Sequence, residues 1–199
     1  MVQFETLPQE KQDAVLNAAF CCFGKNGYKK ASVADIASSA GIAKASIFQY
    51  FGSKKALYTY LFEYACDKII SEAPAGTDDF FESLQMGAEA KMYVMARHPG
   101  MYDFLSSTVT ETDEEILAEI KTHTNVKINF AVNGLLGGVN WNKLRPGISR
   151  EMLLNTVRWI NDGYIHSAAG KKDAETMRRE LFGYLTLIKT AYYREEYLE

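Results

Sequence analysis

The chain has 199 residues, 47% apolar and 24% charged, with a formal net charge of −3; this is enough to bury a sizeable core in one or two domains, and the balance is that of a globular protein, not a disordered or fibrous one. No apolar run approaches the roughly 20 residues that cross a bilayer, and the N-terminal stretch carries Glu5, Glu10 and Asp13 instead of an apolar signal core, so no membrane association is expected and the expected compartment is the cytoplasm. Cys21, Cys22 and Cys66 make no C-x-x-C or Cys/His spacing, so neither a metal nor a cofactor is expected; reduced core or boundary thiols are the main reading and a redox-sensing thiol the minor one.

Four prolines and long glycine-free stretches point to a mainly helical fold. A first helix is expected from Pro8 or Gln9 to Lys25, with Val15, Ala18, Ala19, Cys22 and Phe23 as its core stripe and Asn26-Gly27 as its stop. Ser32 can cap a short helix in which Val33, Ile36, Ala37 and Ala40 recur at helical spacing. Gly41 supplies the positive φ of a tight turn. A second short helix follows, with Ile42 and Ile47 facing inward and Lys44, Ala45, Ser46, Gln49 and Tyr50 facing outward. Two short helices across a glycine turn are the helix-turn-helix signature, in which the second helix enters the major groove of DNA. Ser53 can then cap a helix from Lys54 to Ser71, with Leu57, Leu61 and Ala65 on one face.

Ala73-Pro74-Ala75-Gly76 interrupts the pattern. Asp78-Asp79 opens a long helix to Arg97, stopped by His98-Pro99-Gly100, and a short helix from Pro99 to Ser107 comes next. Thr112 or Asp113 starts another, reaching Val132. Residues 134–147 are the least regular part. Ser149 can cap a helix to Ala169, Gly170 separates it from a last helix over 171–197, and Leu181, Tyr184, Leu185, Ile188, Ala191 and Tyr192 form an apolar stripe on that last helix. The expected fold class is all-α with about nine helices and no strand alternation.

The stretch Ser32–Leu57, with the helix before it, resembles the N-terminal domain of TetR-family transcriptional regulators over about fifty residues, roughly a quarter of the chain. The resemblance rests on Gly27-Tyr28, Ser32-Val33, Asp35-Ile36-Ala37, Ala40-Gly41-Ile42, Ser46-Ile47-Phe48, Tyr50-Phe51, and Lys54 with Leu57, in matching order and spacing. It implies a three-helix helix-turn-helix DNA-binding domain over 1–53, a connector helix over 54–71, and a helical effector-binding and dimerisation domain over 72–199. It also implies a repressor released from a palindromic double-stranded operator by a small-molecule effector.

The residues support that reading chemically. Gln49 can bond adenine bidentately, Lys44 can reach guanine or a phosphate, and Ala45 is small enough to meet a thymine methyl. Ser46 and Tyr50 offer hydroxyls to phosphate oxygens, as does Tyr28 from its turn, while Ser32, Lys54 and Lys55 sit where helix N-termini attract phosphate. Residues 1–56 carry seven lysines against four carboxylates, so a basic head precedes an acidic body. Two departures stand out. Phe48 occupies a position where the family often has tyrosine, which removes a hydroxyl contact to phosphate, and Ala45 stands where it often has glycine. No arginine precedes Arg97, so an A·T-leaning readout through Gln49 and Ala45 is expected.

Beyond Gly76, flexible thioethers and aromatics suit an adaptable apolar pocket; Met92, Met95, Tyr102, Phe104, Trp141, Trp159 and His166 are the candidates for an apolar or aromatic effector, with Trp159 and His166 expected to be buried at a pocket or interface. His98, His123 and His166 are isolated in sequence and read as surface or core histidines. The helices over 149–169 and 171–197 are long and apolar enough to form a four-helix interface in a homodimer, which would place two heads on half-sites about 34–36 Å apart. A helical enzyme or small-molecule carrier with an incidental head is the alternative; against an enzyme stand the missing nucleophile–base pairing and the absent phosphate loop. A helical interaction protein without DNA affinity is a third reading.

Overall fold

The computed structural model describes residues 4–168 and 171–198, and among them nine α-helices follow one another: α1 (Gln9–Lys30), α2 (Val33–Ser39), α3 (Lys44–Phe51), α4 (Lys54–Ser71), α5 (Phe80–Ala96), α6 (Met101–Val109), α7 (Glu114–Leu136), α8 (Arg150–Ala168) and α9 (Ala174–Tyr192). Ala169 and Gly170, expected to end one helix and separate the last two, lie outside the described residues, and so does the side chain of His123.

The caps at Ser32, Ser53 and Ser149 sit where the sequence puts them, whereas the last helix starts at Ala174, capped by Asp173, instead of at 171. Ser32, Ser53 and Asp173 each accept a backbone N–H three residues on, and Ser149 Oγ accepts the Met152 N–H at 3.1 Å. Asp79, not Asp78, holds the start of α5 by accepting the Phe81 and Glu82 N–H groups at 2.9 and 3.1 Å. α1 differs from expectation: Gly27 breaks its helical geometry with φ +68°, and a last turn then carries the chain to Lys30. α9 also ends earlier than expected, because the chain after Tyr192 turns back. Leu144 and Tyr193 form an antiparallel bridge, the Arg145 N–H donates to the Tyr192 carbonyl at 2.8 Å, and the Arg194 N–H donates to the Lys143 carbonyl at 3.0 Å. On α9 itself, Ile188 is buried, but Tyr184 and Ala191 of the expected apolar stripe are exposed.

The chain divides into two compact units: Met1–Glu72 with Tyr93–Asn129, and Ala73–Met92 with Phe130–Glu199. In the first, α6 packs along α1 and shares its core with α4: Phe104 lies 5.3 Å from Phe20 and 5.0 Å from Tyr58, ring centre to ring centre. The seam is close because Gly24 and Gly100 lack side chains. A Cβ on Gly24 would lie 2.8 Å from the Phe104 backbone nitrogen, and one on Gly100 would lie 2.5 Å from that of Cys21. α6 thus joins the helix-turn-helix unit, although its sequence position suggested the C-terminal body. His98 packs edge-on to Tyr64 at 5.6 Å in the same unit, and burial lowers its pKa.

The second unit has its own core of Phe80, Phe81, Leu136, Val139, Leu144, Leu153, Ile188 and Tyr193. The Tyr193 hydroxyl accepts the buried Phe80 N–H at 3.1 Å. No helix among the described residues is long and apolar enough to cross a membrane.

Candidate nucleic-acid interface

α2, its turn and α3 form a local unit whose geometry follows from a few residues. Ser32 Oγ accepts the Asp35 N–H at 3.3 Å and starts α2. Gly41 takes φ +67° with nothing within 4 Å of where a Cβ would stand, so the turn demands the conformation and not the space. The Ile42 N–H then donates to the Ala37 carbonyl at 3.0 Å and closes the turn. Ile47 anchors α3 with no exposed surface, and Gly52 at φ +77° releases the chain to Ser53.

That anchoring leaves Lys44, Ala45, Phe48 and Gln49 as the exposed stripe of α3. Lys44, Ala45 and Gln49 were expected there. Ser46 and Tyr50 recede to half-buried positions, and the Tyr50 ring lies 5.8 Å from Phe4, a residue of the short 3-10 turn Phe4–Thr6.

The remaining predicted contacts have protein partners. Lys54 Nζ donates to the Lys29 carbonyl at 3.1 Å and sits 4.9 Å above the Tyr28 ring, tying the end of α1 to the start of α4. Lys55 turns to α7, 3.2 Å from a Glu115 oxygen and 3.5 Å from a Glu119 oxygen. The Tyr28 N–H donates to the Glu111 carboxylate at 3.3 Å. Burial first, then the charge of Asp113, push the Tyr28 phenol pKa up; Lys55 pulls it down, and Glu115 and Glu111 add lesser upward pushes. A phosphate is poorly served by a hydroxyl in such acidic surroundings.

The candidate effector residues are divided between the two units. Met95 and Phe104 are buried and Tyr102 half-buried in the first unit, while Met92 and Trp141 are half-buried in the second. Trp141 packs tilted against Phe80, 5.7 Å between ring centres, with the Arg150 guanidinium 4.7 Å from its ring centre. Trp159 and His166, expected to be buried, are exposed; helical periodicity identifies the stripe they belong to but not what covers it. A cleft of about 640 Å³ in the second unit is lined by other residues, among them Phe81, Gln85, Lys143, Phe182, Leu185 and Lys189.

Sequence reasoning missed the ion cluster at that cleft. Lys143 is buried and lies 3.0 Å from Asp78 and 3.7 Å from Asp79, and Lys189 lies 3.3 Å from Asp79. Its members are far apart in the chain, and only the acidic pair carried a signal, as a helix start. Among the described residues no group of three or more His, Cys, Asp or Glu side chains could hold a metal ion.

Residues 15–61 match the family described as bacterial regulatory proteins, tetR family. The chain is similar to the HTH-type transcriptional repressor AcnR of Corynebacterium efficiens, at 24% identity over 179 residues covering 87% of this chain and 90% of that one. It is also similar to the HTH-type transcriptional activator FasR of Mycolicibacterium smegmatis, at 27% identity over 118 residues covering 58% of this chain and 54% of that one. In fold it is similar to FadR of Bacillus subtilis, whose structure is a complex with stearoyl-CoA, with a TM-score of 0.64 at 17% identity over 86% of this chain and 96% of that one. The family match begins inside α1 and ends inside α4, so it spans the capped helices and the Gly41 turn. Residues 15–61 therefore form a helix-turn-helix domain of the tetR family of bacterial regulatory proteins.

Proposed function

We propose that the chain is a cytoplasmic homodimeric repressor that leaves a palindromic operator when a small apolar or aromatic effector binds its body. The observation that carries the DNA half of this reading is the exposed stripe of α3, presented over the buried Ile47. In it Gln49 is the adenine reader and Lys44 reaches guanine or phosphate. Ser32, Ser46, Tyr50 and Lys54 fix register, acting from residues 1–53 and the start of the connector at 54–71. Repression is favoured over activation because the similarity to a repressor runs along 90% of that relative and the similarity to an activator along 54%. An effector within residues 72–199 is supported by the acyl-CoA bound in a protein of the same fold.

Dimerisation through α8 and α9 is supported by apolar side chains that one chain leaves in water. Met152 and Trp159 lie seven residues apart on α8, and Tyr184 and Leu187 lie three apart on α9; Trp159 is 65% and Leu187 67% exposed. A mobility-shift assay on DNA flanking the gene, with and without apolar and aromatic ligands, tests the whole reading. A retarded band that a ligand abolishes is expected, and absence of any sequence-preferring band would reject it.

Two variants separate reading from holding. Gln49→Ala should cost about 1–3 kcal/mol on the preferred sequence and little on scrambled DNA, whereas Lys54→Ala should weaken both alike. Equal losses on both DNAs for both variants would reject that division of labour.

Salt dependence tests the ion pairs of Lys55. With two carboxylates against one ammonium, Lys55 brings no free positive charge to DNA. Lys55→Ala should therefore leave the slope of log affinity against log salt unchanged. The double variant Glu115→Gln, Glu119→Gln should steepen that slope by about 0.9, the increment for one added phosphate contact. A shallower slope in Lys55→Ala would place Lys55 on a phosphate already.

A further inference from the structure

Phe48 stands at the centre of the reading stripe of α3, and nothing in the DNA contacts described above uses it. Phe48 is 40% exposed. The other aromatics of α3 turn away into the protein: Phe51 lies 4.8 Å from Phe4 and 5.2 Å from Tyr60, and Tyr50 also packs on Phe4. Phe48 joins neither group. It shares its face with Lys44, whose ammonium lies 5.9 Å from the ring centre, one helical turn back, and with Ala45 and Gln49.

We infer that Phe48 is a specificity-determining residue that reads the C5-methyl of a thymine in each half-site. This inference rests on the DNA-binding reading proposed above. A benzyl side chain can neither donate nor accept a hydrogen bond. Pressed against a G·C pair, it would strip water from guanine O6 and N7 or cytosine N4 without replacing the lost bonds, and unpaired polar groups are costly to bury. Against thymine it meets the one apolar group that a base edge presents in the major groove. The same contact removes the ring from water, so attraction to thymine and penalty at G·C act in one direction. The Lys44 ammonium, 5.9 Å from the ring centre, stands on the same face and can meet the neighbouring base or phosphate. Absence of the tyrosine hydroxyl, read from sequence as the loss of a phosphate contact, is here what frees the ring to read a base.

The test uses duplexes that the full-length protein selects from a random DNA pool, followed by replacement of each selected thymine, one at a time, by deoxyuridine, which removes only the methyl. The wild-type protein should lose affinity about fourfold at one thymine per half-site, the size expected for exposing one methyl-sized group. Phe48→Ala, which removes the contact from both subunits, should bind the thymine duplex as weakly as the wild type binds the duplex with that thymine replaced in both half-sites, and should be indifferent to the substitution in either. Phe48→Leu, which keeps an apolar side chain, should retain part of the methyl sensitivity. Unchanged thermal unfolding and an unchanged salt slope for Phe48→Ala would show that fold and phosphate contacts persist. A selected sequence whose affinity ignores every deoxyuridine, or a Phe48→Ala protein as methyl-sensitive as the wild type, would overturn the inference while leaving the DNA-binding reading intact. Failure to select any preferred sequence would overturn both.

Discussion

Gly100→Ala should lower the stability of the first unit by about 3 kcal/mol or more, whereas Gly41→Ala should cost only about 1 kcal/mol. Both glycines hold left-handed backbone, at φ +79° and +67°, so the conformational penalty is common to the two. They differ in what a methyl would meet. At Gly41 nothing lies within 4 Å, but at Gly100 the new Cβ would stand 2.5 Å from the Cys21 nitrogen and 2.7 Å from its Cα, and these are backbone atoms of α1 that cannot rotate aside. The α1–α6 seam would have to open, exposing the Phe20, Phe23 and Phe104 rings that meet beneath it. Urea unfolding followed by circular dichroism gives both values. Losses within 1 kcal/mol of each other would mean that the seam yields more easily than its packing implies.

The combined substitutions Trp159→Glu and Leu187→Glu should convert the dimer into a monomer and reduce affinity for a palindromic duplex by about 10²–10⁴, while leaving half-site affinity unchanged. Both side chains are about two-thirds exposed in the single chain, so the fold should tolerate the exchange. The dimer would then have to bury two unpaired carboxylates per subunit, which an apolar interface does not accommodate. Sedimentation at micromolar concentration, paired with mobility shifts on whole and half operators, reads both effects. A double variant that sediments as a dimer would place the interface elsewhere.

What the sequence disclosed and what it concealed follow from range. The helix-turn-helix was legible because its determinants are local: Ser32 and Ser53 cap within three residues, Gly41 makes its own turn, and the spacing of Ile36 and Ile47 sets the inward face. The partners of Lys55 were not legible, since Glu115 and Glu119 belong to a helix that meets α4 only in three dimensions. The place of α6 was hidden for the same reason. Gly24, a helix-interior glycine with no conformational need to be one, was its only trace in the chain, because a glycine there serves close approach. Trp159 illustrates a different limit. An amphipathic pattern says which face is apolar, but the same pattern serves a core and an interface. The effector candidates met that ambiguity in full: Phe104 belongs to the core of the first unit, and Trp141 packs on Phe80.

The hydrogen bond from the Phe80 N–H to the Tyr193 hydroxyl closes a loop of 113 residues at the start of α5. During synthesis on the ribosome, the first turn of that helix has no acceptor for this amide until Tyr193 emerges. The core around Phe80 and Phe81 likewise waits for Leu153, Ile188 and Tyr193. Residues 1–72 and 93–129 have all been made by then, so the DNA-reading unit can be complete while the second is still open. Order of translation alone would then set the order of folding, head first.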